Sequence, residues 1–178
     1  MNKTGAVLTA DIVNSTRLGS KAVPAMVTAL EKVLKQYKAT MISFYRGDSF
    51  QCYTNDPVIS FKLALALRTE VRILGRQLAD TDTDIRISIA IGSIPVSVTP
   101  KTAQHLTFKL SGIGLDRLEK SELRMHIQSE QGVGMLTFTA ISQFADHLLS
   151  GITFKQAEVL KYLLQGLNQT EIILLIVS

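Results

Sequence analysis

The chain has 178 residues, of which 46% are hydrophobic and 19% charged, and its formal net charge at pH 7 is +4. This length fits one ordinary globular domain, or one domain with a small appendage, and the composition excludes a disordered or low-complexity chain. The single cysteine, Cys52, excludes a disulfide framework and a cysteine-based zinc site, and it favours the cytoplasm. The longest apolar runs are too short to span a bilayer, so no membrane partner is expected.

The first predicted elements are a strand and a helix. Residues 5–13 form a mostly apolar run, which predicts a largely buried strand. Apolar residues then recur at helical spacing and predict an amphipathic helix over about 22–39, with Ser20 as its N-cap. Asp11 interrupts the apolar strand. Because a buried carboxylate without a partner is costly, Asp11 is expected to be paired or to bind a metal.

A hairpin and a second helix follow. β-branched and aromatic residues on both sides of Gly47 and Asp48 predict two strands joined by a two-residue turn. Asp56 and Pro57 are typical of a helix start, in which an N-cap precedes a proline at the first helical position. The apolar stripe of this second helix is predicted to consist of Ile59, Leu63, Leu67, Val71, Leu74 and Leu78.

The next segment completes the predicted sheet. Residues 85–91 carry isoleucine at every second position and predict a strand with one apolar face. A third helix is predicted over about 107–120, and a further strand over about 123–129. The order β-α-β-β-α-β-α-β is typical of a split βαβ sandwich, a ferredoxin-like α+β fold with helices on one face of the sheet.

The sequence changes character after the last predicted strand. One helical pattern is followed by two helices joined by the turn QGLNQT, in which Gly166 is the predicted C-cap and Asn168 or Thr170 the predicted N-cap. We therefore predict an α/β domain over 1–132 and a C-terminal helical segment over 133–178. The apolar run IILLIV in the last helix is a candidate dimer surface.

Two aspartates are predicted to approach each other at one end of the sheet. In a split βαβ sheet the first strand lies beside the hairpin, so Asp11 near a strand end and Asp48 at the hairpin turn come close. Two close carboxylates repel, which raises one pKa unless a cation lies between them. Mg²⁺ suits such a site because it prefers hard oxygen ligands and is usually completed by phosphates. The carbonyl of Ile12 is a further candidate ligand. The same residues also fit two aspartates that only cap turns.

The residues that follow Asp11 are candidates to hold a phosphate. Asn14, Ser15 and Thr16 supply backbone N–H groups and side-chain polar atoms in a turn, which suits phosphate oxygens. Arg17 and Arg46 are expected to add charge-assisted contacts. The predicted ligand is therefore a nucleotide or another phosphate compound bound together with Mg²⁺.

Three motifs, in chain order, resemble the catalytic core of class III nucleotidyl cyclases: LTADIVNSTRL, RGDSFQ and DIRISIAIGSI. In that family an Asp-Ile strand end and a Gly-Asp hairpin hold two Mg²⁺ ions, which implies metal-binding roles for Asp11 and Asp48. The sequence also resembles the bacterial SatD-like family, which has a GDxFQ hairpin, a strand ending in Ile-Gly, a later helix and often a C-terminal helix-turn-helix. Gly47, Asp48, Phe50 and Gln51 fit the hairpin pattern, and LSGIGLDRLEK fits the later helix.

The sequence departs from the cyclase pattern at residues that would steady the transition state and read the base. If Arg117, a candidate phosphate or nucleotide ligand, takes the place of the cyclase arginine, Ile113 stands where the resemblance requires an asparagine. Phe44 stands near the position of the purine-reading lysine, and Thr107 and Phe108 stand in the region of the base-reading aspartate. Losing preorganised charge typically costs orders of magnitude in rate. The pattern favours binding over turnover, and no catalytic residue is assigned.

The C-terminal segment resembles the start of a sigma-region-4 or LuxR-like helix-turn-helix, in which a Glu-Ile pair, here at Glu171, precedes the recognition helix. In such motifs the second helix of the turn reads bases in the major groove. The sequence ends at Ser178, where the turn into the recognition helix is expected. Lys155 and Lys161 are offset by Glu158 and Glu171, so no basic stripe is present. A helical hairpin that packs on the core or on a partner subunit is the alternative.

The residues and the resemblance together predict a bacterial regulatory protein. Its degenerate nucleotidyl-cyclase-like domain is expected to bind a nucleotide or phosphate ligand with Mg²⁺. This domain is expected to be coupled to a DNA-binding-like helical region, as in a transcription regulator. The expected protein is a cytoplasmic homodimer, and DNA is expected as a partner of the full-length protein. The alternative is an active Mg²⁺-dependent nucleotidyl cyclase or phosphoryl-transfer enzyme. A third hypothesis is an interaction domain whose aspartates are turn residues.

Overall fold

The structure is a computed structural model, and it describes residues 2–19, 22–45, 47–99 and 102–177. Ser20, Arg46 and the side chain of Phe44, to which the sequence assigned roles, lie outside the described residues. The strands are β1 (Asn2–Ile12), β2 (Thr40–Tyr45), β3 (Ser49–Thr54), β4 (Ile85–Pro95) and β5 (Met125–Ser129). The helices are α1 (Ala22–Gln36), α2 (Pro57–Ala79), α3 (Leu106–Glu119), α4 (Met135–Gly151), α5 (Phe154–Gln165) and α6 (Gln169–Val177). The predicted order of elements is confirmed.

The sheet has five strands in the order β2-β3-β1-β4-β5, and only the β4–β5 pair is parallel among the described residues. The long strand β1 lies in the middle, with β3 on one side and β4 on the other. This register places Asp11 opposite Ser49 of β3 and opposite Arg86 of β4. The hairpin turn, the start of β4 and the end of β1 therefore meet at one end of the sheet.

The two faces of the sheet carry different cores. Ala6, Leu8 and Ala10 of β1 face α1 and α2 in the main apolar core, together with the alternating isoleucines of β4. Val7 lies on the other face and packs with Phe108 of α3 in a smaller cluster. The prediction that helices cover one face of the sheet is therefore wrong for α3. The parallel β4–β5 pair requires a crossover helix, and α3 takes the face that the isoleucines leave free.

The start of α2 follows the prediction, but its apolar stripe is shorter. The carboxylate of Asp56 accepts a hydrogen bond from the Val58 N–H at 2.9 Å, which is an ordinary N-cap, and Pro57 is the first helical residue. Leu78, the last predicted member of the stripe, is 45% exposed. The stripe thus ends at Leu74, because the last turn of α2 extends beyond the sheet core.

A buried ion cluster, which the periodicity did not predict, connects α2 to the residue before β4 and to α4. Arg68 is fully buried, and its guanidinium donates to the Asp84 carboxylate at 3.1 and 2.6 Å and to Asp146 of α4 at 2.6 Å. Asp146 also accepts from the backbone N–H of Arg124 at 2.9 Å. A buried charge is tolerated only when it is paired and hydrogen-bonded, and this cluster meets that condition.

The C-terminal helices pack against the α/β part. Leu149 of α4 lies in the main core. The Tyr37 hydroxyl donates to the Leu164 carbonyl of α5 at 3.0 Å. Asn168 and Glu171 exchange hydrogen bonds of 2.8 and 3.1 Å, so Asn168 rather than Thr170 is the N-cap of α6. The division into 1–132 and 133–178 stays a prediction. Among the described helices, none has the length and apolar character that crossing a bilayer requires.

Candidate functional site

The structure places Asp11, Ile12 and Asp48 at the same end of the sheet. The backbone N–H of Ile12 donates to the carbonyl of Asp48 at 3.1 Å, which joins the hairpin turn to the end of β1. Gly47 precedes Asp48 with a φ of 84°, in the left-handed region where glycine is favoured. The turn residue and the strand residue therefore come together through the backbone.

Asp11 has a partner that the sequence did not reveal. Its Oδ2 atom accepts a hydrogen bond from Arg86 Nη1 at 3.0 Å, and the two side chains are 14% and 20% exposed. The alternation of side chains along β4 indicates the side of the sheet on which Arg86 lies. Arg86 points away from the isoleucine face, and antiparallel pairing with β1 puts it opposite Asp11. Recognising it required the register of the two strands, which the sequence alone does not give.

The two carboxylate oxygens of Asp11 have different surroundings. Oδ2 is paired with Arg86, whereas Oδ1 is buried and has no hydrogen-bond partner among the described residues. Burial raises the pKa of Asp11 above its ordinary value. Arg86 opposes that shift, while the negative charges of Glu119 and Asp48 add to it. The site thus holds a carboxylate oxygen without a hydrogen-bond donor among the described residues.

Asp48 is held by two hydroxyl groups. Ser15 Oγ donates to Asp48 Oδ2 at 2.5 Å, and Ser49 Oγ donates to Oδ1 at 3.3 Å. Ser15 begins a short 3-10 turn, Ser15–Arg17, which follows β1 directly. Ser15 is therefore brought to Asp48, and in this structure its hydroxyl is engaged with that carboxylate. Its contact with a phosphate stays a prediction.

The remaining residues of this turn are exposed beside the aspartates. Asn14 has a φ of 56°, a left-handed conformation that asparagine tolerates better than most residues, and its carbonyl accepts from the Arg17 N–H at 2.9 Å. The side chains of Asn14, Thr16 and Arg17 are exposed. A ligand bound at the two aspartates would therefore lie next to these side chains.

Arg117 is placed differently from the other candidates. It is an exposed residue in the last turn of α3, and its charge acts on His126 of β5. Burial lowers the pKa of His126, and the nearby positive charge of Arg117 lowers it further, although a hydrogen bond with Gln128 opposes both. The charges that act on Asp11 are those of Arg86, Glu119 and Asp48. Arg117 thus faces β5 within its own chain.

The positions that depart from the cyclase pattern are either buried or apolar. Thr107 is buried, and its hydroxyl donates to the Ser93 carbonyl at 2.8 Å and to Glu130 at 3.0 Å. Phe108 is buried in the smaller core beneath α3. Ile113 is 45% exposed and offers no polar atom from its side chain. Thr107 and Phe108 are thus engaged within the chain, and Ile113 has no hydrogen-bonding group in its side chain.

The donor set at the two aspartates fits a single Mg²⁺ ion completed by ligand and water. Within the described part of the chain, no group of three or more histidine, cysteine or acidic side chains is arranged to hold a metal. Mg²⁺ does not need one, because it usually binds through one or two carboxylates and keeps several waters or phosphate oxygens. The unpaired Oδ1 of Asp11, the Asp48 carboxylate and the Ile12 carbonyl are hard oxygen donors of this kind.

Comparison with solved structures identifies the fold. The chain is similar to the adenylyl cyclase CyaB from P. aeruginosa, with a TM-score of 0.59 and 18% identity over 77% of this chain and 82% of that one. A bacterial light-regulated adenylyl cyclase gives a TM-score of 0.57 and 11% identity over 72% and 77% of the two chains. The guanylate cyclase domain of RhGC from Catenaria anguillulae, in complex with GTP, gives 0.52 and 16% over 74% and 80%.

These similarities define a class of fold. The chain has the α+β fold of nucleotidyl cyclase catalytic domains, and the predicted fold class is confirmed. No protein-family model matches the sequence, and no curated protein matches it either. At 18% identity or less in these three comparisons, the likeness is one of fold alone.

Proposed function

We propose that this chain is a regulatory protein whose cyclase-like domain binds a nucleotide or another phosphate ligand together with Mg²⁺. One observation carries the proposal. Asp11 presents a buried carboxylate oxygen without a hydrogen-bond partner in the described residues, next to the Asp48 hairpin and an exposed polar turn. Such an oxygen is costly unless a cation or a donor reaches it.

The residues of the site take separate roles in this proposal. Asp11, Asp48 and the Ile12 carbonyl hold the metal, which neutralises phosphate charge when it is bound. Arg86 fixes the orientation of the Asp11 carboxylate through the 3.0 Å hydrogen bond, so that Oδ1 stays directed away from it. Asn14, Ser15, Thr16 and Arg17 contact the phosphate, with Arg46 as a further candidate. Arg117 belongs to this ligand set only if the bound molecule extends to the α3–β5 edge.

Binding rather than turnover is supported by the α3 positions. Ile113 brings no hydrogen bond, and Thr107 and Phe108 are buried and engaged with Ser93, Glu130 and the small core. Electrostatic stabilisation of the transition state by preorganised donors is usually the largest catalytic contribution. The second candidate is an active Mg²⁺-dependent cyclase or phosphoryl-transfer enzyme. It is favoured by the fold shared with proteins that are named adenylyl and guanylyl cyclases.

The C-terminal helices are the proposed output of the regulator. The resemblance to the SatD-like family is the reason to propose a cytoplasmic transcription regulator that acts as a homodimer. In this regulator α5 and α6 begin a helix-turn-helix. Two well-capped helices joined at Gly166 support the helical pair, with Thr153 and Gln156 forming a capping box on α5. The exposed side chains of α6 include Ile173 and Leu174, which suit protein contact better than phosphate contact. A gel shift with the full-length gene product tests the DNA partner.

Thermal unfolding with Mg²⁺ and a panel that includes ATP, GTP and inorganic pyrophosphate tests the binding site. A ligand at about 100 times its Kd stabilises the native state by about 2.7 kcal/mol, which shifts the midpoint by several degrees. Asp11→Asn and Asp48→Asn should abolish the shift because each removes a charged metal ligand. Asp80→Asn is the matched control, since Asp80 is exposed at the end of α2 and pairs there with Arg76, and it should keep the full shift.

Three outcomes would change the proposal. A shift that persists in both Asp11→Asn and Asp48→Asn places the ligand elsewhere. The absence of any shift with wild-type protein leaves the interaction domain with turn aspartates as the better hypothesis. Cyclic nucleotide formed from ATP or GTP in a product assay, and lost in both variants, establishes the enzyme instead.

A further inference from the structure

The helix α4 carries a second apolar stripe that its own chain does not cover. Ala145 and Leu149 face the main core. Ile141, Phe144 and Leu148, at the i, i+3 and i+7 positions of the same helix, are 41%, 66% and 52% exposed. A surface helix normally has one apolar stripe, and a helix that is apolar on further sides is normally buried there as well. The second stripe of α4 therefore lacks a partner within the described chain.

This stripe borders an apolar groove between α4 and α5. We call it the α4–α5 groove: its walls are Ile141, Phe144 and Leu148 on one side and Val159 and Leu163 on the other, and it encloses about 660 Å³. Among the described residues that line it, Gln156 is the only polar one and no side chain is charged. A partner that binds through charge, such as a nucleic acid or an acidic peptide, finds nothing to pair with there.

The apolar surface continues onto α6. Val159 and Leu163 also line a neighbouring depression with Ile173 and Ile176 of α6, so the two depressions share a wall. With on the order of 200 Å² of accessible surface per large apolar residue, the exposed parts of the groove walls and these α6 residues amount to on the order of 600 Å². That is the upper end of what monomers expose in one patch, and it approaches the roughly 800 Å² that each partner buries in a standard interface.

We infer that the α4–α5 groove is the surface through which two copies of this chain associate. The chain carries both halves of such a contact: the α4 stripe with Phe144 at its most exposed point, and the groove beside it. If the two α4 helices face each other across a two-fold axis, Phe144 of each copy inserts into the groove of the other. This is the self-complementary arrangement of a symmetric dimer. A polar rim supplies the rest of the area. This inference rests on the homodimer of the proposed function and is independent of its ligand.

Phe144→Glu tests the surface, because it places a charge at the centre of the contact and leaves the core face of α4 intact. Sedimentation equilibrium should give twice the 19.5 kDa chain mass for wild type. Phe144→Glu should raise the dissociation constant of the dimer by about 30-fold or more, as expected for a central aromatic anchor. Val96→Glu is the matched control, because Val96 is 65% exposed directly after β4 and does not line the groove, and it should leave the dimer unchanged.

Far-ultraviolet circular dichroism should show that Phe144→Glu is folded, and Leu148→Glu serves as a second variant if it is not. The inference is overturned if wild-type protein is a monomer at every concentration up to its solubility limit, or if both groove variants stay dimeric. Native mass spectrometry that finds a lipid retained by a monomeric wild-type chain also overturns it. Nucleotide binding with Mg²⁺ should survive in Phe144→Glu, so that loss of the dimer and failure of the ligand proposal are read out separately.

Discussion

Asp11 shows how the neighbours of one side chain divide its chemistry. Arg86 takes one carboxylate oxygen and fixes the plane of the group, while the other oxygen stays buried and unpaired among the described residues. An aspartate with both oxygens paired would have no oxygen left to bind a ligand. A fully unpaired one would favour the neutral form, because burial raises the pKa of Asp11. The half-paired state leaves one oxygen of the oriented carboxylate without a partner among the described residues.

The pKa of His126 depends on the charge of Arg117. Removing the positive charge in Arg117→Gln should raise the pKa of His126 towards the ordinary histidine value, because that charge lowers it in the folded protein. Histidine resonances followed through a pH titration by NMR measure the change directly. Lys109→Gln removes an equal charge from an exposed position on the same helix and should leave the His126 pKa unchanged.

The lowered pKa of His126 makes the stability of the protein depend on pH. A histidine whose folded pKa is lowered binds fewer protons in the native state than in the unfolded state. The free energy of unfolding should therefore fall as the pH drops through 6.5 towards the lowered pKa. Urea titrations between about pH 5 and 8 should show a smaller slope in Arg117→Gln. An unchanged slope and an unchanged pKa would mean that Arg117 does not face β5 in solution.

At the scale of elements, α3 lies close to the sheet because small residues face each other. Gly114 of α3 lies over Ser88 of β4, and a Cβ at Gly114 would overlap the Ser88 hydroxyl and come within 3.0 Å of Gln128 Nε2. Thr9 of β1 and Ser111 of α3 share a hydrogen bond of 2.7 Å across the same interface. The short distance between helix and sheet thus depends on a missing side chain at one position.

Two glycines of α3 give a matched pair of substitutions. Gly114→Ala should destabilise the protein by about 1–3 kcal/mol, since the added methyl forces α3 away from the sheet. Gly112→Ala should stabilise it by about 0.5–1 kcal/mol, because a Cβ there meets no atom within 4 Å and alanine favours the helix. Chemical unfolding of both variants measures the difference. If Gly114→Ala is as stable as wild type, the close packing of α3 is not maintained in solution.

Local patterns predicted the elements better than they predicted the contacts between elements. The helix predicted over about 107–120 is Leu106–Glu119, and the start at Pro57 was identified from its cap, because spacing and capping residues act within one turn. The face that α3 covers, the pairing of Arg86 with Asp11 and the burial of Arg68 depend on strand register and on the packing of distant elements. Local patterns alone do not determine those relations. The approach of Asp11 to Asp48 was predictable because it follows from topology alone.

The C-terminal helices are joined to the α/β part by polar contacts as well as by the core. Arg68 binds Asp146 of α4, and Lys161 of α5 binds Glu70 of α2 at 2.8 Å. Leu149 of α4 is buried with the residues of α1 and α2. These contacts cross the predicted division between 1–132 and 133–178, which favours joint unfolding of the two regions.

Calorimetry should show one cooperative thermal transition for wild-type protein, with equal calorimetric and van't Hoff enthalpies. Arg68→Met should lower the free energy of unfolding by about 3–5 kcal/mol, because it leaves Asp146 buried without its cation and leaves Asp84 with the longer, 3.4 Å pair to Arg72. Arg76→Met is the control: its pair with Asp80 is exposed and should contribute less than about 1 kcal/mol. Two separate transitions in wild type would show that 133–178 is an independent unit.

The central position of β1 has a consequence for how the site moves. Every residue from Ala6 to Asp11 is paired with both β3 and β4, so these amides should exchange with solvent only when the whole domain opens. The turn that begins at Asn14 has no such double pairing and can open locally. A molecule that binds at Asp11 would therefore contact the strand with the slowest amide exchange. The neighbouring turn could change its conformation around that molecule.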